Sequence, residues 1–142
     1  MQIVTGERIG PRILVAEDEP LAALVIEDAL TESGYQVELA GDGEAALALS
    51  ERGGFDVVVT DLAMPRMTGW ELIAALRARQ PDLPIVVMTG YLPPGGRDAL
   101  FADGCTPAAL LLKPFGISDL LAALRQVSRG AERAGAPQMA ST

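Results

Sequence analysis

Short apolar runs alternate with longer segments of helical composition along this chain. Each run is five or six residues long and is bounded by polar or turn-forming residues, which is typical of strands in a packed sheet. The predicted strands are Arg12–Ala16, Tyr35–Leu39, Phe55–Thr60, Ile85–Thr89 and Ala108–Leu112. Tyr35–Leu39 alternates apolar and polar residues and should be half exposed, whereas Phe55–Thr60 is rich in β-branched residues, which favours a strand covered on both faces.

Helical segments fill the intervals between the predicted strands. Pro20–Leu30 is rich in Ala and Leu, and Gly34 suits the position just past a helix end. Thr68 stands three residues before Glu71, which is the spacing of a capping box at a helix start. The interval after Ile85–Thr89 is rich in Gly and Pro, so we expect at most a short helix there. The last helix carries apolar residues on one face at Ile117, Leu120, Leu121, Leu124 and Val127.

The alternation of strands and helices defines one domain. Five strand–helix units in strict sequence predict an α/β fold, with a parallel sheet and helices on both of its faces. We expect residues 1–11 to form an N-terminal extension and residues 12–129 to form the domain. Residues 130–142 lack periodicity and are predicted to be a disordered tail.

Composition narrows the classes of function. The 142 residues carry a formal net charge of −8, so direct binding to nucleic acid, which requires a basic surface, is not expected. The chain has no histidine and one cysteine, which excludes Ser-His-Asp and Cys-His catalysis, His-liganded zinc and multi-cysteine metal sites. No apolar run could span a membrane and no signal-peptide pattern opens the chain, so we expect a soluble cytoplasmic protein.

Polar residues collect where the predicted strands end. In an open parallel sheet, functional groups gather at the carboxyl ends of the strands. Glu17 and Asp18 follow the first strand, Asp61 follows the third, Thr89 ends the fourth and Lys113 follows the fifth. Two carboxylates about 4 Å apart repel by about 4 kcal/mol at an effective dielectric constant of about 20, so such a cluster needs a cation. Because the ligands are oxygen atoms, we expect Mg²⁺, with Mn²⁺ or Ca²⁺ as alternatives.

This set of groups suits the transfer of a phosphoryl group. A carboxylate can attack phosphorus and form an acyl phosphate, and Asp61 is the candidate nucleophile. A divalent cation and Lys113 would neutralise the charge on the transferring group. Thr89 could donate a hydrogen bond to a phosphoryl oxygen once the group has arrived.

Four segments, taken in order, resemble the response-regulator receiver domain of two-component signalling. They are ILVAEDEP from Ile13, VVVTDLAMPRMTGWEL from Val57, PIVVMTGY from Pro84 and LLLKPF from Leu110. The resemblance extends over roughly residues 12–129. It implies a flavodoxin-like (βα)5 fold, which is a doubly wound parallel sheet with the strand order 2-1-3-4-5.

The resemblance also implies a role for each candidate site residue. Asp61 would be the phosphorylated aspartate, and Thr89 and Lys113 would contact the phosphoryl group. A cis peptide bond is expected between Lys113 and Pro114. The metal ligands would be the side chains of Asp18 and Asp61, the backbone carbonyl of Ala63 and, through water, Glu17.

One position departs from the family pattern. The family often has Tyr or Phe three residues before its lysine, and here that position is Leu110. The usual coupled movement of the threonine and the aromatic ring therefore lacks its aromatic member. We hypothesise that phosphorylation is read instead through the ordering of Gly90–Gly104.

Three classes of function compete. We favour a stand-alone receiver, because only a short tail follows the domain, that accepts a phosphoryl group on Asp61 from a sensor histidine kinase or a histidine phosphotransferase. It would act on a downstream protein through the face of the last two strand–helix units, or pass the group on in a phosphorelay. A homodimer stays open.

The other two classes are a binding module and an enzyme. A pseudo-receiver that binds a partner without phosphorylation is the alternative that Leu110 keeps open. A Mg²⁺-dependent phosphatase would need a second acid two residues after its nucleophile, and that residue is Ala63. We therefore expect a phosphoacceptor with Mg²⁺-dependent self-phosphorylation and slow autodephosphorylation, not an enzyme.

Overall fold

A computed structural model describes residues 10–90 and 108–135, which contain five strands and four helices. The strands are β1 (Arg12–Ala16), β2 (Gln36–Ala40), β3 (Val57–Asp61), β4 (Ile85–Thr89) and β5 (Ala108–Leu112). The helices are α1 (Pro20–Glu32), α2 (Gly43–Glu51), α3 (Gly69–Arg79) and α4 (Ile117–Gly135). The predicted short helix after β4, and most of Gly90–Gly104, lie outside the described residues.

The five strands form one parallel sheet in the order β2-β1-β3-β4-β5, which confirms the predicted fold. Every residue of β3 and β4 is buried, whereas β2 alternates between exposed and covered positions. Ala16 lies opposite Thr60, and Thr89 lies opposite Leu112. This register brings the carboxyl ends of β1, β3, β4 and β5 to one edge of the sheet.

The end of α1 explains why β2 starts one residue later than predicted. Gly34 has a φ of +99°, a conformation that a residue with a Cβ rarely adopts. This lets the Gly34 N–H donate to the Thr31 carbonyl and the Tyr35 N–H donate to the Leu30 carbonyl, which is the paired pattern of a Schellman cap. Tyr35 therefore belongs to the helix end, and its backbone is not available to start the strand.

The structure describes residues beyond both ends of the predicted domain. The Pro11 carbonyl, assigned to the N-terminal extension, accepts a hydrogen bond of 2.9 Å from the Gln36 N–H at the start of β2. The predicted disordered tail from residue 130 is wrong for residues 130–135, because α4 continues to Gly135. A single interior glycine costs a helix only about 1 kcal/mol relative to alanine, and Ala-Glu-Arg-Ala, residues 131–134, favours helix.

The core lies in two apolar layers, one on each face of the sheet. One layer packs β-strand residues against α2 and α3, and the other packs them against α1 and α4. The predicted apolar face of α4 is confirmed, with Leu120, Leu124 and Val127 fully buried. In the described ranges, none of the helices combines the length and apolar character that crossing a membrane requires.

Candidate functional site

Three carboxylates meet at the edge of the sheet where β1 and β3 end. Oxygen atoms of Glu17, Asp18 and Asp61 all lie within 4.8 Å of one another. The strand register explains this, because Ala16 pairs with Thr60 and each is followed by an acid, Glu17 after Ala16 and Asp61 after Thr60. Glu17 and Asp61 are 3% and 6% exposed, whereas Asp18 is exposed. The cluster therefore has a buried inner side and an open outer side.

Lys113 supplies the positive charge in this cluster. Its Nζ lies 2.7 Å from Asp61 Oδ2 and 3.2 Å from Glu17 Oε1. The Lys113 backbone N–H donates a 2.7 Å hydrogen bond to the Thr89 carbonyl, which extends the β4–β5 pairing by one residue and aims the lysine at β3. The peptide bond from Lys113 to Pro114 is cis, as predicted.

Burial and nearby charges shift the pKa values of Glu17 and Lys113. Burial raises the pKa of Glu17 above its ordinary 4.5, outweighing the Glu19 hydrogen bond and the Lys113 charge, which lower it. Burial alone would lower the pKa of Lys113. The hydrogen bond and charge of Asp61, followed by the charge of Glu17, outweigh it and raise that pKa above 10.5. Lys113 therefore remains an ammonium throughout the physiological pH range.

Backbone groups fix the two buried carboxylates. The Ala63 N–H donates to Asp61 Oδ1 at 3.1 Å, and the Glu19 N–H donates to Glu17 Oε2 at 3.1 Å. The start of α3 packs closely on the end of β3. A Cβ at Gly69 would clash with the carbonyl oxygen of Asp61, so this approach requires glycine. A hydrogen bond to its side chain and close packing against its main chain thus both fix Asp61.

Thr89 and Leu110 lie on neighbouring strands. Thr89 ends β4 and is buried, one residue beyond Met88, which pairs with Asp61. Leu110 pairs with Val87 and packs, partly buried, against the apolar layer on the α2–α3 side.

The donor set suits a hard divalent cation. All side-chain donors in the cluster are carboxylate oxygens, the ligands that Mg²⁺ and Mn²⁺ prefer. Three carboxylates and one ammonium also leave a surplus of negative charge that a divalent cation would neutralise. Ala63, the predicted backbone ligand, is exposed beside Asp61. The residues present therefore fit the predicted magnesium site.

Sequence patterns indicated this cluster but missed one of its contacts and a helix cap next to it. The contact between Lys113 and Glu17, which are 96 residues apart, was not predicted, since Glu17 was assigned only a water-mediated role. Glu19 was also missed as the N-cap of α1, where its side chain accepts a 3.2 Å hydrogen bond from the Ala22 N–H. The proline after Glu19 was a usable signal, because proline favours the first position of a helix.

Comparisons with known proteins agree with this arrangement. The family description "Response regulator receiver domain" matches residues 13–125. The transcriptional regulatory protein TcrA of Mycobacterium tuberculosis is 37% identical over 124 residues, which cover 87% of this chain and 48% of TcrA. The chain spans about half the length of the curated relatives it matches.

This chain matches nearly the whole length of several solved structures of similar fold. The chemotaxis protein CheY4 of Vibrio cholerae has a TM-score of 0.76 and 31% identity, covering 83% of this chain and 98% of CheY4. The response regulator TrrA of Thermotoga maritima, solved in complex with Mg²⁺ and BeF, has a TM-score of 0.72 and 29% identity. The matched region covers 82% of this chain and 98% of TrrA.

Proposed function

This chain belongs to the response regulator receiver domain family, and on that premise we propose that it accepts a phosphoryl group on Asp61. One observation carries the proposal. The buried Asp61 carboxylate lies 2.7 Å from the Lys113 ammonium and within 4.8 Å of two further carboxylates. A nucleophilic oxygen, a fixed cation and an oxygen-ligand site for a metal are the parts that phosphoryl transfer to a carboxylate requires.

The chain's own residues would act on the phosphoryl group in distinct ways. An Asp61 oxygen forms the new O–P bond while the bond from phosphorus to the donor breaks, and the electron pair leaves with the donor. The Ala63 N–H fixes the carboxylate against rotation by its bond to Oδ1. Lys113 neutralises charge on the phosphoryl oxygens, and the Thr89 hydroxyl donates a hydrogen bond to one of them.

A divalent cation would be held by Asp18, Asp61 and the Ala63 carbonyl, with Glu17 acting through water. When bound, Mg²⁺ supplies additional neutralisation of the phosphoryl charge. Mn²⁺ would serve in the same position, because it shares the preference for oxygen ligands.

Mass spectrometry of the intact protein tests the proposal. Incubation with acetyl phosphate and Mg²⁺ should add the mass of one phosphoryl group, and Asp61→Asn should abolish the addition. Asp82→Asn is the matched control, because Asp82 is an exposed aspartate in the turn between α3 and β4. Absence of the adduct on the unmodified protein would refute phosphorylation and favour the alternative, a pseudo-receiver that binds its partner unmodified.

The chain has no histidine, so the phosphoryl group must come from another molecule, and membership of the receiver family favours a sensor histidine kinase or a histidine phosphotransferase. Exposed apolar side chains of α1, at Leu21, Leu24 and Val25, support a protein donor. They adjoin a groove of about 410 Å³ that reaches Lys113. Val25→Asp should slow transfer from such a protein while leaving acetyl phosphate labelling unchanged, because a small molecule does not need the surface.

We further propose that the receiver acts as a stand-alone protein and signals by contacting another protein through the face of the last two strand–helix units, to which β5 and α4 belong. Exposed Leu112 and the adjoining groove of about 430 Å³ between β5 and α4 support a contact there. An antibody against this chain should detect a protein of about 14.9 kDa in cell extracts. Detection only at a much larger mass would show that the receiver is joined to an output domain.

A further inference from the structure

The loop between β3 and α3 contains a strained turn. Arg66 has a φ of +66°, which is unfavourable for a residue that carries a Cβ. The Met67 N–H donates a 2.7 Å hydrogen bond to the Pro65 carbonyl across Arg66. A bond between residues two apart around a positive φ is the pattern of the rarer and more strained γ-turn. Such a conformation persists only where the surrounding structure holds it.

An ion pair joins this turn to α2. Arg66 Nε lies 2.9 Å from Asp42 Oδ2, while Asp42 Oδ1 accepts a 2.8 Å hydrogen bond from the Ala45 N–H as the N-cap of α2. Both carboxylate oxygens of Asp42 thus have a partner, and its side chain is 13% exposed, whereas the Arg66 side chain is 64% exposed. The loop also touches α2 directly, because a Cβ on Gly43 would clash with the Met67 carbonyl oxygen.

The same loop carries backbone groups of the candidate site. It leaves β3 at Asp61, and its second residue, Ala63, donates its N–H to Asp61 Oδ1. The loop closes where the Gly69 N–H donates to the Leu62 carbonyl at 2.9 Å. A change of conformation at Arg66 must therefore be absorbed between these fixed points, and Ala63 lies within that stretch.

We propose that Asp42 and Arg66 are positioning residues for the metal and phosphoryl site. Their ion pair holds the loop in its strained conformation and thereby keeps the Ala63 backbone in place beside Asp61. This inference rests on the proposed function, because it concerns the same site. Neither side chain touches the reacting group, so the effect passes through the backbone of the loop.

Magnesium affinity measured on the full chain tests the inference without any turnover. Trp70, the only tryptophan, lies in the first turn of α3 directly after the loop, so we expect its fluorescence to change when Mg²⁺ binds. The backbone amide of Lys113, the only lysine, gives a single ¹⁵N-lysine signal within the site as a second reporter. Both signals are titrated with MgCl₂, and the apparent dissociation constants are compared.

Arg66→Ala is the decisive variant, because simple charge effects predict the opposite result. Removal of a positive charge near the site should strengthen Mg²⁺ binding by Coulomb attraction. The proposal instead predicts a dissociation constant raised by about three- to tenfold, at or below the range for loss of an outer-shell contact at a metal site. Arg66→Gly, which adopts a positive φ freely, should fall between the unmodified protein and Arg66→Ala.

Asp42→Asn completes a double-mutant cycle with Arg66→Ala. Asparagine is chosen because it is as good an N-cap as aspartate but carries no charge. It should weaken Mg²⁺ binding, and adding Asp42→Asn to Arg66→Ala should cause little further loss. Arg79→Ala is the matched control. It breaks the Arg79–Glu51 pair of 3.4 Å, which joins the opposite ends of the same two helices. Its dissociation constant should stay within about twofold of the original.

The outcomes separate this inference from the proposed function. If the unmodified protein binds Mg²⁺ and gains a phosphoryl group, but Arg66→Ala binds Mg²⁺ as tightly or more tightly, the positioning role is wrong and the function stands. If the unmodified protein neither binds Mg²⁺ nor gains the phosphoryl group, the proposed function is refuted, and the inference that rests on it is refuted as well. A lower melting temperature of Arg66→Ala in EDTA, with an unchanged dissociation constant, would mean that the pair only stabilises the fold, and would also overturn the inference.

Discussion

Replacing Lys113 by methionine isolates the electrostatic cost of the carboxylate cluster. Methionine keeps an unbranched side chain of similar length and removes the ammonium. The ammonium now lies 2.7 Å from Asp61 and 3.2 Å from Glu17, both of which are buried. Without it, the two carboxylates face each other with no cationic side chain between them, and the folded state must become less stable at neutral pH.

The geometry gives the size of the effect. The carboxylate oxygens lie within 4.8 Å of one another, for which Coulomb's law gives a repulsion of about 3.5 kcal/mol at an effective dielectric constant of about 20. The Lys113 side chain is 34% exposed, so water screens part of this repulsion in the variant. We therefore expect the free energy of unfolding to fall by about 2 kcal/mol, well above the contribution of an ordinary surface ion pair.

Urea unfolding in EDTA, followed by circular dichroism, measures this loss. For a slope of about 1.5 kcal/mol per molar urea, the midpoint should fall by roughly 1.3 M. Added MgCl₂ should raise the midpoint of the variant towards that of the original protein in EDTA, because a cation that binds only the folded state stabilises it by about 2.7 kcal/mol at a hundredfold excess over its dissociation constant. Arg79→Met, which removes an exposed cation from a pair of 3.4 Å, is the control.

The pH dependence of the loss has a definite sign. The pKa of Glu17 is raised, chiefly by burial, so the folded state binds this proton more tightly than the unfolded chain. Stability contributed by protonation is present below the ordinary pKa of 4.5 and is lost as pH rises through the raised value. The deficit of Lys113→Met should therefore be smaller at pH 5 than at pH 7.5. Equal unfolding midpoints for the variant and the original protein in EDTA at pH 7.5 would refute this account of the cluster.

Three further changes test other parts of the structure. Thr68→Ala removes the capping box of α3 and should lower the free energy of unfolding by about 1 kcal/mol in urea, with Thr68→Ser close to the original. The first-turn hydrogen bond of α2, and then Arg66, hold the pKa of Asp42 below 3.8, so its stabilising contribution is lost as pH falls through that lower value. Asp42→Asn should flatten the acid limb of a thermal-unfolding profile below pH 3.8, and an unchanged limb would contradict this. Gly69→Ala should cost about 1 to 3 kcal/mol, because its methyl group displaces the Asp61 carbonyl, and a gain in stability would show that the contact is loose.

The sequence predicted those strands whose ends are marked by a change of residue type. The bounds of β1, β4 and β5 were predicted as observed, because polar or turn-forming residues follow each apolar run. The start of β2 was wrong, because the Schellman cap of α1 uses Tyr35, and hydrogen bonds between a helix end and the following residue leave no composition signal. The end of α4 was wrong because the helix formers beyond Gly130 have no apolar face, and the prediction relied on periodicity.

The candidate site could be assembled from the sequence only to the level of which residues meet. Parallel strands place their ends at one edge, so Asp18, Asp61 and Lys113 could be grouped from sequence alone. Which carboxylate oxygen each donor reaches depends on side-chain rotamers and strand register. The sharing of Lys113 with Glu17 could not be predicted for that reason. The strained turn at Arg66 was equally hidden, because arginine gives no sign of a positive φ.

The shared position of Lys113 suggests why a second buried acid lies beside Asp61. The ammonium is divided between Asp61 at 2.7 Å and Glu17 at 3.2 Å. If Asp61 is the acceptor, its negative charge moves outward onto the phosphoryl oxygens when the O–P bond forms, and Lys113 must follow that charge. Because Glu17 is held separately by the Glu19 N–H, we expect it to keep its contact with the ammonium while the Asp61 contact changes. Burial raises the pKa of Glu17 in this position, and on the proposed function the same position would let it hold the lysine during the transfer.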